Sequence, residues 1–325
     1  MTIVYHQEPP NLLDVSTWSS TDDYEGVFPK GAREKSSLLS PEKVAGFLLP
    51  EYRYLFKESF ARHPEQCWME VLAYKLGGVM GVPVPPTFIA IKEGTIGALI
   101  EWFYDDINDA LFYNYYDGGD ILKRVISDFD RKTGKQHNLT TIKNFIEALK
   151  SARLKAQATF ELDWKEHWAK VFTFDTILGN TDRHQDNWGL SFYAGNKNEV
   201  FIKFSPAFDN GTSMGYEILE RDFYKFENVS KLENYINRGT HHMKWKLEDE
   251  SRLNHIDFIE IFIEKFPDSY DIVASCAKFD MNKLEEQFME LLDFDCPIPL
   301  TRGRVEFTLK LIRERQKRLL LRLGL

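Results

Sequence analysis

The segment GNTDRHQDNWG, residues 179–189, gathers acids, amides and a histidine into one stretch with little apolar cover. Asp182 and Asn187 are separated by four residues, the D-x-x-x-x-N spacing of loops that carry out phosphoryl transfer. A further acid, Asp209, follows in Phe208-Asp209-Asn210-Gly211, behind a strand-like run and Pro206. Phosphoryl transfer asks little covalent work of a protein. It needs a carboxylate to orient or deprotonate the attacking hydroxyl, and oxygen ligands for the Mg2+ that bridges the phosphates. Mg2+ takes carboxylate and amide oxygens and keeps several waters. Asp182 suits the first task, and Asn187 with Asp209 the second. His184 is a further candidate for the nucleotide site. Its imidazole either braces the loop backbone or serves a metal or a base role, and Asp186 is either a metal neighbour or a solvated acid. A polar surface turn would share this composition, so the spacing and Asp209 carry the reading.

The upstream half must then hold a phosphate clamp. Gly31-Ala32-Arg33-Glu34-Lys35-Ser36 is the candidate, because Gly31 lets backbone N–H groups approach phosphates and the serine adds a donor. It does not fit G-x-x-x-x-G-K-[ST], so a P-loop NTPase is not supported. Lys57 closes the apolar run Tyr54-Leu55-Phe56, a position from which an ammonium can reach phosphates. Glu70, at the edge of the next helix's apolar stripe, could pair with it, and Glu65 is the rival one turn earlier. Glu101 and Phe103 end the last strand before a change of pattern, where backbone and ring could flank a base.

These residues need elements to hold them. Short apolar runs such as Phe47–Leu49 and Tyr54–Lys57 read as strands, and Met69, Leu72, Leu76 and Val79 recur at helical spacing over 64–80. Gly81 and Pro83 stop that helix, and strands follow at Thr87–Ile91 and Gly97–Phe103. From about 105 the pattern turns mostly helical, with candidates at 141–159, 161–178, 255–266, 281–293 and 304–323. A β-rich stretch at 188–205, with a turn at 195–198, interrupts them. The expected fold is α+β and two-lobed. A lead-in of 1–25 precedes a small β-rich lobe with one helix (26–104), and a larger, mainly helical lobe fills 105–325.

Bulk composition sets limits. The 325 residues suffice for two cores, and an aromatic content of 14 % favours dense ones. A net charge of −9 argues against a general nucleic-acid binder. The three cysteines, Cys67, Cys276 and Cys296, form neither a disulfide framework nor a zinc spacing, which points to a reducing compartment. No apolar run approaches the roughly 18 residues of a membrane span. The cytoplasm is the expected location, and export by a signal-independent route would leave no mark.

In order, GAREKSSLL (31–39), YLFK (54–57), EVLAYKLGGVMGVPVP (70–85), GALIEWF (97–103), GNTDRHQDNWG (179–189) and FDNGTS (208–213) resemble the HipA-like kinases. These are atypical relatives of serine/threonine protein kinases. The resemblance spans about residues 26–215 and implies a kinase fold using ATP and Mg2+ on a protein substrate. It implies that Gly31 to Ser36 form the phosphate loop, that Lys57 contacts phosphate, and that Glu101 and Phe103 flank adenine. Asp182 would be the catalytic aspartate, and Asn187 and Asp209 the Mg2+ ligands. Family members autophosphorylate a serine of the phosphate loop, for which Ser36, Ser37 and Ser40 are candidates; phosphate there would repel the phosphates of ATP. An antitoxin or other regulator is the partner the family brings in, although full-length family toxins carry an extra subdomain where this chain has residues 1–30. DRHQDN is also close to the DRH-x-x-N loop of phosphatidylinositol kinases. A lipid or small-molecule kinase, or a non-catalytic nucleotide-binding protein, are therefore the competing readings.

Overall fold

A computed structural model describes residues 5–20, 35–103, 112–156, 158–160, 163–194 and 200–325. Gly31, Ala32, Arg33, Glu34 and the turn at 195–198 lie outside the described residues. The chain opens with strands β1 (Leu13–Asp14), β2 (Ser19–Ser20), β3 (Lys35–Leu39) and β4 (Arg53–Glu58). Helix α1 (Gln66–Met80) and strands β5 (Thr87–Lys92) and β6 (Thr95–Glu101) follow. Next come β7 (Phe112–Asp117), α2 (Gly118–Val125), α3 (Leu139–Ala156), β8 (Ala158–Phe160) and α4 (Trp164–Leu178). After β9 (Gly189–Ala194) and β10 (Val200–Phe204) the chain is helical: α5 (Val229–Asn237), α6 (His255–Lys265), α7 (Tyr270–Ala277), α8 (Met281–Glu290) and α9 (Arg302–Leu323).

The chain folds as two units. The first comprises residues 1–102, 210–232 and 279–314, and the second 103–209, 233–278 and 315–325. In the first, six strands form one sheet in the order β1-β5-β6-β4-β3-β2. One face carries a core of Val15, Leu38, Tyr54, Phe56, Phe88, Ala90 and Leu99. Strand residues alternate between faces, so Lys57, next to Phe56, belongs to the opposite face. Helix α1 is buried nearly all round rather than along one stripe. It packs on β5, β6 and α8, and Trp68 at its start donates to the Ile298 carbonyl at 2.8 Å. Gly81 ends α1 in the left-handed conformation at φ 69°, which glycine adopts without a Cβ clash.

The second unit joins a four-stranded sheet, β7-β9-β10-β8, to packed helices. Its core is aromatic: Phe172 of α4 lies 4.7 Å from Phe258 of α6, ring centre to ring centre, and His167 stacks on Phe204 at 4.1 Å. The predicted helices and the strands at 188–205 are present within a few residues of their expected bounds.

Two expectations differ. Phe47–Leu49 is a turn, closed by the Leu48 N–H on the Ala45 carbonyl, and its apolar character goes into Phe47 packing 5.1 Å from Phe88. Residues 158 and 159 leave the helix expected over 141–159 and, with residue 160, pair in parallel with β10, a local pattern overridden by a distant partner.

Candidate functional site

In the first unit β4 and α1 set up a buried ion pair. The Lys57 ammonium lies 2.6 Å from Glu70 Oε1, with both side chains at most 3 % exposed. The other Glu70 oxygen accepts the backbone N–H of Asn210 at 2.9 Å. One carboxylate thus orients the lysine and fixes the backbone of the residue that follows Asp209. Glu65 has a different partner: Arg304 donates to it at 2.8 Å, and the same guanidinium reaches the carbonyls of Gly215 and Ile218. Burial of two charges costs several kcal/mol unless they are paired and hydrogen-bonded, so such a pair fixes geometry more than it adds stability.

The β3–β4 pairing places Lys35 opposite Lys57, Ser36 opposite Phe56 and Ser37 opposite Leu55. Directly opposed residues share a face. Lys35 and Ser37 therefore stand on the Lys57 face, and Ser36 on the Phe56 face. Two lysines directly opposed repel, which suits a face that receives an anion. Ser40 is buried, and its hydroxyl donates to the Leu49 carbonyl at 2.7 Å and accepts the Tyr52 N–H at 2.9 Å. Glu101, half-buried, pairs opposite Tyr54, and its N–H donates to Pro86.

The second unit holds the polar loop. Helix α4 starts on an Asp163 cap and ends at Gly179 with φ 67°. The left-handed φ calls for glycine there, and a Cβ would in addition meet the Arg315 guanidinium at 2.2 Å and push it aside. Beyond it the loop folds on itself. The Asp182 N–H donates to Asn180 Oδ1 at 2.9 Å, and the Asp182 carbonyl accepts both the His184 N–H at 2.7 Å and Asn187 Nδ2 at 2.8 Å. His184 Nδ1 accepts the Asp186 N–H at 3.1 Å, which is a bracing role. Spending its amide nitrogen on the Asp182 carbonyl leaves Asn187 its oxygen for a cation.

Two residues that sequence reasoning passed over hold this loop. Arg183, buried, grips the equally buried Asp175 of α4 through Nη2 at 2.8 Å and Nε at 3.2 Å. Its Nη1 donates to the carbonyls of Asn187 and Phe208. A single guanidinium thereby ties the segment carrying Asp182 and Asn187 to the residue before Asp209. Burial raises the Asp175 carboxyl above its ordinary value, opposed by the Arg183 charge and by hydrogen bonds from Arg183 and Asn180. The signal in the sequence is an acid inside the apolar run 171–178. Asp209 has φ 57°, a left-handed conformation that Asp tolerates better than most residues. Phe103 packs 4.9 Å from Phe208 and 5.9 Å from Tyr115. Asp186 joins Asp117 and Asp120 around Arg131, at 2.7 Å and, for the other two, 2.5 Å.

The donor set suits a hard cation: one amide oxygen and one carboxylate on segments tied together. Among the described residues no three His, Cys, Asp or Glu side chains gather to hold a metal by themselves. Mg2+ needs no such cage, since it binds through one or two carboxylates with phosphates and waters. Among the described residues, too, no helix is long and apolar enough to cross a membrane.

Comparison with known proteins agrees with this architecture. The chain is 25 % identical over 222 residues to the serine/threonine-protein kinase CtkA of Helicobacter pylori strain J99, a match covering 67 % of this chain and 62 % of that one. The chain thus spans less than two thirds of that relative's length. The crystal structure of the Helicobacter pylori proinflammatory kinase CtkA superposes with a TM-score of 0.68 over 96 % of both chains at 18 % identity, so the two share a fold. The α+β, protein-kinase-like architecture expected from the sequence is the one observed. The model of the HipA-like C-terminal domain matches residues 28–284, most of the chain, and the protein is accordingly a member of the HipA-like C-terminal domain family.

Proposed function

We propose that the chain is a serine/threonine protein kinase that transfers the γ-phosphoryl group of Mg-ATP to a protein hydroxyl. The observation that carries this is the Lys57–Glu70 pair, whose second carboxylate oxygen holds the backbone beside Asp209. A lysine on a strand paired with a helix glutamate is how protein kinases present an ammonium to phosphates. The two units stand for the lobes expected at 26–104 and 105–325, with residues 210–232 and 279–314 returning to the first. Gly31, Ala32, Arg33, Glu34 and Lys35 clasp the phosphates with Lys57, and Glu101 and Phe103 flank the base; Ser36, expected in the clamp, stands on the Phe56 face and its side chain takes no part. Ser37 shares the Lys57 face and is the serine we favour for autophosphorylation.

In the catalytic loop Asp182 orients the acceptor hydroxyl and takes its proton as the oxygen attacks phosphorus. His184 braces the turn that aims it. Asn187 and Asp209 would hold Mg2+, which when bound offsets charge on the phosphates. Arg183 keeps the two ligand-bearing segments in register, so the chain's own contribution is mostly positioning and charge.

The experiment is incubation of the purified chain with Mg2+ and γ-labelled ATP, alone and with a lysate. Wild type should label itself or an acceptor protein on serine or threonine, and Asp182→Asn and Asp209→Asn should abolish labelling while their circular dichroism stays unchanged. A wild-type protein that labels nothing overturns the proposal.

A further inference from the structure

Beside the catalytic loop, and wholly within the second unit, four side chains form a line. Trp188 Nε1 meets His137 Nε2 at 3.0 Å, His137 Nδ1 meets His242 Nδ1 at 3.3 Å, and Arg252 Nη2 meets His242 Nε2 at 2.9 Å. Both ends of the line can only donate, because indole and guanidinium carry no acceptor. Trp188 therefore requires a bare Nε2 on His137, whose one proton must sit on Nδ1. Arg252 requires a bare Nε2 on His242, whose one proton must also sit on Nδ1. Two N–H groups then face each other across the central link. Protonating either ring adds a donor and makes the conflict worse. Turning a ring over puts carbon where nitrogen was and loses a bond. Burial holds His137 well below its ordinary pKa and His242 down to about 3, which keeps both rings neutral.

One of the three links is therefore open at any moment. Trp188 and His137 are buried core residues, whereas His242 and Arg252 are half-buried. The link that can open without disturbing the core is the one to Arg252. A destination for it is in the loop against which His242 sits, whose Asp182 lies two residues before His184; the Asp182 charge also acts favourably on Arg252, opposing the burial that lowers its pKa. The His242 ring also sits 5.9 Å from that of His184 in the same loop.

We propose that Arg252 exchanges between a parked position on His242 and a forward position at Asp182, where its guanidinium binds the anionic phosphoryl group being transferred. In the parked state His242 carries its proton on Nδ1 and the His137 link is open. In the forward state one proton leaves Nδ1 and one arrives at Nε2, exchanged with water at the half-buried ring, and His137 Nδ1–H then donates to His242 Nδ1. No net charge changes, so the tautomer of His242 reports where Arg252 is. Only the identity of the anion rests on the kinase reading; the exchange itself does not.

The test is 15N NMR of the imidazole nitrogens, with His242→Gln identifying the signals. Wild type without ligand should show His242 averaged between tautomers. Arg252→Met should give the Nε2–H form alone, and Asp182→Asn should move the average toward Nδ1–H. Trp188→Phe is the decisive variant. It frees His137 to carry its proton on Nε2 and accept from His242, so all remaining links become compatible and Arg252 is locked in place. His242 should then be Nδ1–H throughout. Inorganic phosphate and Mg-ADP should drive wild type toward Nε2–H and leave Trp188→Phe unmoved. Arg252→Met and Trp188→Phe should each lower kcat about ten- to a hundredfold, the range for one charge-assisted hydrogen bond, with KM for ATP changed less than about threefold. A single His242 tautomer that ignores both Arg252→Met and Asp182→Asn overturns the exchange. Exchange that phosphate and Mg-ADP leave untouched, or a Trp188→Phe protein slowed without the tautomer lock, overturns the phosphoryl-binding role. If wild type neither binds nucleotide nor transfers phosphate, the kinase reading falls, and the ligand-free spectra still decide the exchange.

Discussion

Asp175→Asn removes one charge from the buried anchor of the 179–189 loop and almost no volume. Asp175 is fully buried and Arg183 is 3 % exposed, so water cannot replace the lost partner. Two charge-assisted bonds, at 2.8 and 3.2 Å, lose their anionic acceptor, and an amide nitrogen is turned toward guanidinium donors. Breaking a buried pair from one side costs about 3–5 kcal/mol, a large part of the 5–15 kcal/mol by which a folded protein is usually stable. The double variant Asp175→Leu, Arg183→Met removes both charges and fills the space with apolar atoms. It should be at least about 2 kcal/mol more stable than the sum of its single variants. Activity should not follow stability. Without Arg183 the carbonyls of Asn187 and Phe208 lose their shared donor, so the double variant stays slow in phosphoryl transfer even where it is well folded. Urea unfolding followed by tryptophan fluorescence, alongside the labelling assay, gives both quantities. An Asp175→Asn protein within about 0.5 kcal/mol of wild type, or strictly additive single variants, would refute the reasoning.

Acid should destabilise the protein from about pH 6 downward. Burial holds His167 and His255 at about 3, His242 likewise, and His137 and His241 well below the ordinary 6.5. Below 6.5 the unfolded chain binds protons that the folded one refuses. Stability therefore rises with pH, and each such histidine removes up to about 1.4 kcal/mol per pH unit on acidification. Asp117, raised by burial, acts in the opposite sense, because its protonated form is favoured in the folded state, but only as pH nears the carboxylate range. Equal urea midpoints at pH 7.5 and 5.5 would contradict this. Ser40→Ala should leave self-labelling unchanged, since that hydroxyl is buried and engaged twice, and Ser37→Ala should reduce it; phosphopeptide mapping to Ser40 would reverse the assignment. Gly118→Ala would put a Cβ 2.1 Å from the Trp188 ring and should cost about 1–3 kcal/mol, seen as a lowered Tm.

What the sequence conveyed was what repeats locally. The apolar recurrence at Met69, Leu72, Leu76 and Val79 marks α1 and the apolar run ending at Lys57 marks β4, although the burial of α1 on nearly all sides goes beyond the stripe its spacing shows. Asp182, Asn187 and Asp209 stood out as candidates because polar residues cluster there without apolar cover. Asp175 and Arg183 were not, since a buried ion pair looks like a polar interruption until its partner, eight residues along, is brought back by the turn at Gly179. Strand β8 was illegible for a related reason: three residues acquire their conformation from a strand some 40 positions later. The face on which Ser36 points depends on register with β4, and no count along one strand fixes that.

Helix α9 gives residues 302–314 to the first unit and 315–323 to the second. Neither unit is a continuous stretch of chain, and each draws on residues beyond 278. On a ribosome, the first cannot be completed before residue 314 of α9 has been made, nor the second before the residues of α9 beyond it. Until those residues have been made the nascent chain carries aromatic surface awaiting a partner, and shelter by a chaperone over that interval is the corollary.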